Sequence, residues 1–385
     1  MPIRPLSFEP PRVAIDADLA WVLRAAFATD ESLTQPSDPQ HALEIARATQ
    51  LSGRVAARLG ASRGASLGAR SAELSADYYA NVAQETLLVQ AQHQIADLAE
   101  RLRIPTIAVK FGGLRLAGVL SIGARAVADL DLLLPQGSAR ELWRALLAAG
   151  FQRTNTHEYP HQLEALRSPF GAVIDLHVHL PGVIVEKGSF ASADQLIVHD
   201  LVTRNGALLV PNKAVLAAHA IVHALVQNRS TPQTYSSLRM LADLMDLQYQ
   251  EPQVLKDAAR YLAPELRETC DVVERLCIAL SNGDFASPSL EGTSEQILLW
   301  HCLAGRLDSD YAQRLRAAGL TNKFREGASA VEIAQYLANL LYPAESALDF
   351  LYGPAVNTFQ RIRRRLHRPI DLAVRVGRGA LRGRP

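Results

Sequence analysis

The sequence predicts an α+β protein, with an α/β core at about residues 101–185 set between helical regions. Three observations predict it. Short apolar runs bounded by turn residues recur between 106 and 180, with a helical pattern between them. A helical pattern runs from 71 to 102 with no interior Gly or Pro. Beyond Pro211 the patterning is helical almost to the end.

The elements follow in order. Residues 1–100 read as helical, interrupted by a Gly/Ser-rich stretch at about 60–68. Pro105 breaks the long helix, and 106–111 reads as a strand. Gly112-Gly113 marks a turn opening a helix. A second strand spans 129–134 and is stopped by Pro135. Ser138, with Glu141 three residues on, offers a capping box for a helix ending at Gly150. Residues 162–166 and 172–180 read as a strand pair around the turn Ser168-Pro-Phe-Gly171. Asn205-Gly206 signals a type I′ hairpin. Helices follow at 212–226 and 235–248, with several more between about 254 and 350. This gives four expected segments. They are a helical region at 1–100, the core at 101–185, a hairpin and helical domain closing a cleft at 186–350, and a basic tail at 351–385.

Composition narrows the class. The chain has 385 residues, 48% hydrophobic, with net charge +1, enough for a large core and two or three domains. No run of 18 apolar residues suggests a spanning helix, and the N-terminus lacks a signal peptide's apolar stretch. The three cysteines, Cys270, Cys277 and Cys302, have no zinc-ligand spacing and read as buried reduced thiols of a cytoplasmic protein. From 361 onward there are nine arginines and one acid. That end is either a solvated, partly helical tail or a contact for nucleic acid or an anionic surface.

The chemistry concentrates at Ala-Asp-Leu-Asp-Leu-Leu-Leu, residues 128–134. In a strand, Asp129 and Asp131 point to one face while Leu130 and Leu132 face the core. Two carboxylates so close repel unless a positive group lies between them. Mg²⁺ is commonly held by one or two carboxylates together with phosphate oxygens. Asp175 interrupts an otherwise strand-forming run, sharing a face with Val173, His177 and His179. An acid at the centre of such a run goes against strand propensity, which often marks a functional site. If the two strands are neighbours, Asp129, Asp131 and Asp175 converge, and two metal ions there would serve phosphoryl-type transfer. Lys110 and Arg125 are candidates for phosphate contacts, and the Gly112-Gly113 amides for a phosphate cradle. The plainer readings are a Lys110–acid pair and an Arg125–acid pair. Zinc is not favoured: His177, His179, His219 and His223 lack cysteine or carboxylate partners at ligand spacing, and H-E-x-x-H is absent. They read as histidines lining or supporting the cleft.

These segments together resemble a known family. Val109-Lys-Phe-Gly-Gly113, Arg125 before Asp129-Leu-Asp131-Leu-Leu, and Ile174-Asp175-Leu-His177 are similar to the bacterial "uncharacterised nucleotidyltransferase" family of the polymerase-β-like superfamily. Residues 211–219, the run from Leu238 to Asp243, and the Leu-Tyr-Pro and Leu-Tyr-Gly motifs at 341 and 351 extend the likeness, which covers roughly 80–365. The resemblance implies a small mixed β-sheet core and Mg²⁺- or Mn²⁺-dependent transfer of a nucleotidyl group from an NTP, such as ATP, to a hydroxyl. It maps Asp129 and Asp131 onto the metal pair and Asp175 onto the third carboxylate. Two departures stand out. Gly113 precedes Asp129 by 16 positions, a longer loop than usual, and Phe111 separates Lys110 from Gly112. The acceptor is left open among a small molecule, a sugar, a peptide natural product, or the tRNA or protein target of a toxin-like transferase. The rival from another class is a catalytically silent nucleotide-binding protein with the same fold.

Overall fold

The computed structural model describes residues 10–29, 33–63, 70–154, 161–186, 189–227, 237–285, 290–315, 341 and 357–382. The Leu-Tyr-Pro motif beyond 341, the Leu-Tyr-Gly motif and the expected helices at 316–350 lie outside the described residues, residue 341 excepted.

Four helices come first. They are α1 (Ala17–Phe27), α2 (Pro39–Ala48), α3 (Ser52–Arg63) and α4 (Ser71–Leu102). Asp16 and Asp38 cap α1 and α2 by accepting backbone N–H bonds, and Pro39 opens α2 where its missing amide costs nothing. Gly60 interrupts α3 with φ +63. The helix α4 has the bounds its uninterrupted pattern predicts. Arg103, in the left-handed region at φ 56, ends it two residues before Pro105.

The sheet begins with β1 (Ile107–Ala108), shorter than the predicted run because Lys110 turns the chain through φ +49. Then come α5 (Lys110–Leu116), β2 (Asp129–Leu133), α6 (Gln136–Ala148), β3 (Gln152–Arg153), β4 (Leu166–Arg167) and β5 (Val173–His177). The predicted capping box at Ser138 does not form. Pro135 occupies the cap position, and the Ser138 hydroxyl lies 3.4 Å from its carbonyl oxygen. After α7 (Ala193–Val198) the hairpin β6 (Val202–Asn205) and β7 (Leu208–Pro211) follows. Asn205 pairs with Leu208, so the loop is Gly206-Ala207. Gly206, at φ +61, holds the first central position, the glycine position of a II′ turn, in place of the predicted I′ turn on Asn205-Gly206.

The seven strands form one mixed sheet in the order β3-β4-β5-β2-β1-β7-β6. The hairpin, expected with the helical half, extends this sheet through parallel pairing of β7 with β1. The helical half comprises α8 (Lys213–Val222), which runs on into a wider π-type turn at His223–Gln227, then α9 (Ser237–Gln250), α10 (Val254–Ala258), α11 (Arg267–Ser281) and α12 (Ser294–Leu307). A last helix, α13, spans Thr358–Arg382.

One buried cluster runs from Leu19 in α1 through Leu130, Leu132 and Ile174 to Leu303 in α12. N-terminal helices, sheet and helical half therefore share a continuous core. A smaller cluster, with Ile107, Val109, Leu133, Leu180 and Val215, covers the opposite sheet face. Cys270, Cys277 and Cys302 are buried and free, and burial pushes the Cys270 and Cys302 thiols up to about 12.

Candidate active site

Strand alternation decides which side chains leave the main core. Leu130 and Leu132 are fully buried in it, so Asp129 and Asp131 must project from the other face of β2. Parallel pairing with β5 sets Asp131 directly beside Asp175, Asp129 beside Val173, and Leu133 beside His177. One ligand atom each from Asp131, Asp175 and His177 lies within 4.8 Å of the others. Asp129 stands one pleat along the same face.

Lys110 enters this cluster from the β1–α5 turn. Its left-handed backbone is uncommon for a side chain other than Gly, Asn or Asp, and such strain tends to gather at functional sites. Lys110 Nζ donates to Asp131 Oδ1 at 2.7 Å, and His177 Nε2 lies 2.9 Å from the same oxygen. The Asp131 side chain is only 1% exposed. Burial alone would raise its pKa, but Lys110 and His177 hold it well below the usual carboxylate range. Burial likewise works against the Lys110 ammonium, yet Asp131, Asp129 and Asp175 together hold its pKa above the ordinary value. The other two acids lack so close a cation. Burial, then Asp131, raises Asp129. Burial, then Asp131 and Asp129, pushes Asp175 up to about 7. Three acids, Asp131 buried and the other two half-buried, thus divide one nearby ammonium among them, and Asp131 takes most of it.

Gly112 and Gly113 lie inside α5, not in a turn before it, and both are buried. The amide of Gly113 donates to the Val109 carbonyl at 3.2 Å. A Cβ on Gly113 would sit 2.7 Å from the Ala108 carbonyl oxygen, and one on Gly112 would sit 2.9 Å from Leu130 Cδ1. The glycines let α5 press against β1 and β2, which brings Lys110 over the acids.

Arg125 is buried and its Nε lies 3.0 Å from both carboxylate oxygens of Asp243 on α9. Its guanidinium also sits 5.8 Å from the Phe111 ring centre. The sequence offers Arg125 either as a phosphate contact or as a partner of Asp129 or Asp131. Nothing local in the sequence picks Asp243, 118 positions away. Arg239, one turn earlier on α9, donates to the Ala126 carbonyl at 2.8 Å. From α4, Asn81 donates to the Gly123 carbonyl, and Glu85 accepts from the Gly123 amide and from Arg115. The long α5–β2 loop is therefore pinned at several points, and β2 starts from a fixed place.

His177 joins the acid cluster, a closer role than lining the cleft. Its period-two spacing from Asp175 was the available signal. Its Nδ1 is buried with no hydrogen-bond partner, and its ring stacks on His161 at 6.2 Å. Burial, then Lys110, pulls His219 on α8 down to about 3. The same two causes put its neighbour His223 well below the ordinary value. Both are neutral, and among the described residues they fall outside the cluster that can hold a metal ion.

A family model described as "Uncharacterised nucleotidyltransferase" matches residues 35–277, a span that contains α2 through most of α11 and every residue of the site. No curated protein and no solved structure matches the chain. The matched span covers more than half the chain, and the chain belongs to this uncharacterised nucleotidyltransferase family.

Proposed function

We propose that this protein transfers a nucleoside monophosphate from an NTP to an acceptor hydroxyl, with Mg²⁺ or Mn²⁺ bound at the acid cluster. The observation that carries the reading is the β2–β5 register, which sets Asp131 beside Asp175 under Lys110. The family supports the nucleotidyl-transfer class.

The residues present fit a divalent cation. Hard carboxylate oxygens suit Mg²⁺ or Mn²⁺. Asp131, Asp175 and His177 offer three ligand atoms close together, and burial and the neighbouring acids make an ionised Asp175 costly until positive charge arrives. Asp129, Asp131 and Asp175 would hold the metal, which when bound neutralises phosphate charge and activates the attacking oxygen. Lys110 keeps Asp131 ionised and would contact phosphate oxygens from there. The opening of α5, brought close by Gly112 and Gly113, would add its dipole to the hold on those phosphates. Arg125 acts from behind, holding the loop before Asp129 through its pair with Asp243. Asp175 would complete the metal site or accept the hydroxyl proton.

Calorimetry tests the binding half of this reading. NTP should bind in Mg²⁺ or Mn²⁺ and lose most of its affinity in excess EDTA. Full-strength binding without a divalent cation would count against the acid cluster as the nucleotide-metal site.

A further inference from the structure

The last helix has a different chemistry from the rest of the surface. Phe359, Ile362, Leu366 and Ile370 are 74%, 54%, 68% and 60% exposed. Their spacing of three, four and four residues lines them along one stripe of α13. The sequence carries the same period onward to Val374 and Leu381. The helix also holds eight arginines against one acid, Asp371. Arg361, Arg364, Arg365 and Arg368 fall away from the apolar stripe at helical spacing. Four large apolar side chains exposed in a row, on a helix this basic, do not describe a solvated tail.

We propose that α13 is an interfacial helix that docks this protein on an anionic lipid surface, its apolar stripe entering the acyl boundary and its arginines meeting the headgroups. The proposal is independent of the catalytic reading. Such a helix combines a low overall hydrophobicity with a strongly basic polar face, and it lies in the membrane plane. No described helix is long and apolar enough to cross a membrane, so α13 lies on the surface. Two other occupants fit less well. A nucleic acid would be held by the arginines and by aromatic stacking. This stripe is aliphatic apart from Phe359 and offers no stacking platform. A second copy of the same helix would bring eight arginines beside eight more, like charge against like, whereas an anionic surface attracts a basic helix.

The full chain tests the idea by co-sedimentation with vesicles. It should bind phosphatidylcholine vesicles that contain phosphatidylglycerol, bind pure phosphatidylcholine far more weakly, and release as salt rises. Arg361→Gln with Arg365→Gln should weaken binding by about 25-fold, roughly fivefold for each arginine. Ile362→Glu with Leu366→Glu should weaken it on the order of a hundredfold, while Tyr249→Glu, at a site 86% exposed on α9, should change nothing. Leu366→Trp keeps the stripe apolar and the fold intact, and its added emission should shift to the blue on vesicle addition. The proposal is overturned if the full chain ignores anionic vesicles, or if the stripe variants bind them as wild type does. It is equally overturned if the arginines serve only an RNA oligonucleotide, or if the stripe serves only to join two copies of the chain.

Discussion

Replacing Asp175 by Asn should stabilise the protein at neutral and alkaline pH. Burial, then Asp131 and Asp129, pushes this carboxyl from its ordinary 3.8 up to about 7. The folded state therefore holds the Asp175 proton more tightly than the unfolded chain does. The stability this proton contributes is complete below the unfolded value of 3.8 and is lost as pH rises through about 7. Above pH 7 the wild type keeps a half-buried charge beside two others. A tenfold change in proton affinity corresponds to about 1.4 kcal/mol, so removing the charge gains at most about 4 kcal/mol. The new amide must find its own hydrogen bonds in a half-buried site, which takes back about 1–2 kcal/mol. The net expectation is about 2–3 kcal/mol. For 385 residues that is a rise of about 2–4 °C in Tm. Thermal unfolding in a chelating buffer, followed from mildly acidic to alkaline pH, reads it directly. The gain should be full at about pH 8 and fade as pH falls towards 4. Mg²⁺ or Mn²⁺ should raise the Tm of the wild type more than that of the variant, because the ion binds only the folded cluster. A variant no more stable than wild type at pH 8, or a gain of equal size at both ends of the range, would refute the charge-crowding argument.

The other acids should behave differently from one another. Asp129→Asn should leave stability unchanged or raised, whereas Asp131→Asn should lower it by about 3–5 kcal/mol in urea unfolding, because Lys110 and His177 lose their shared partner. Simple like-charge relief would instead stabilise both. Lys110→Ala should cost a similar amount by leaving Asp131 buried without its ammonium, and NTP titration should show weaker binding as well. Arg125→Ala and Asp243→Ala should each cost about 3–5 kcal/mol, and the double variant clearly less than their sum, which a double-mutant cycle measures.

Local rules made much of this legible. The bounds of α4 followed from an uninterrupted helical pattern closed by Pro105. Both acid-bearing strands were readable because apolar residues at every second position leave the acids only one face. The errors were tertiary or conformational. Ser138 matched a capping box, but Pro135 already held the cap. The first strand lost its end because Lys110 adopts a left-handed backbone that no local pattern announces. Gly112-Gly113 looked like a turn, and what those positions require is close packing of α5 on the sheet. Arg125 and Asp243 meet only once α9 has folded against the α5–β2 loop, so their pairing had no signature along the chain. Which strands neighbour which was equally invisible. The convergence of Asp131 with Asp175 remained conditional on a register that only the fold supplies.

The central claim is nucleotidyl transfer at the acid cluster, and following the α-phosphate of a radiolabelled NTP tests it most directly. Wild-type protein, given Mg²⁺ or Mn²⁺ and a cell extract of broad acceptor content, should label an acceptor or itself with at least one of the four NTPs. Asp129→Asn, Asp131→Asn and Asp175→Asn should each lower that labelling by several orders of magnitude, because charge stabilisation at the transferring phosphate dominates such reactions. Equal labelling by wild type and the three variants would contradict the assignment. No labelling by wild type with any NTP would instead leave a nucleotide-binding protein that keeps the fold without the reaction.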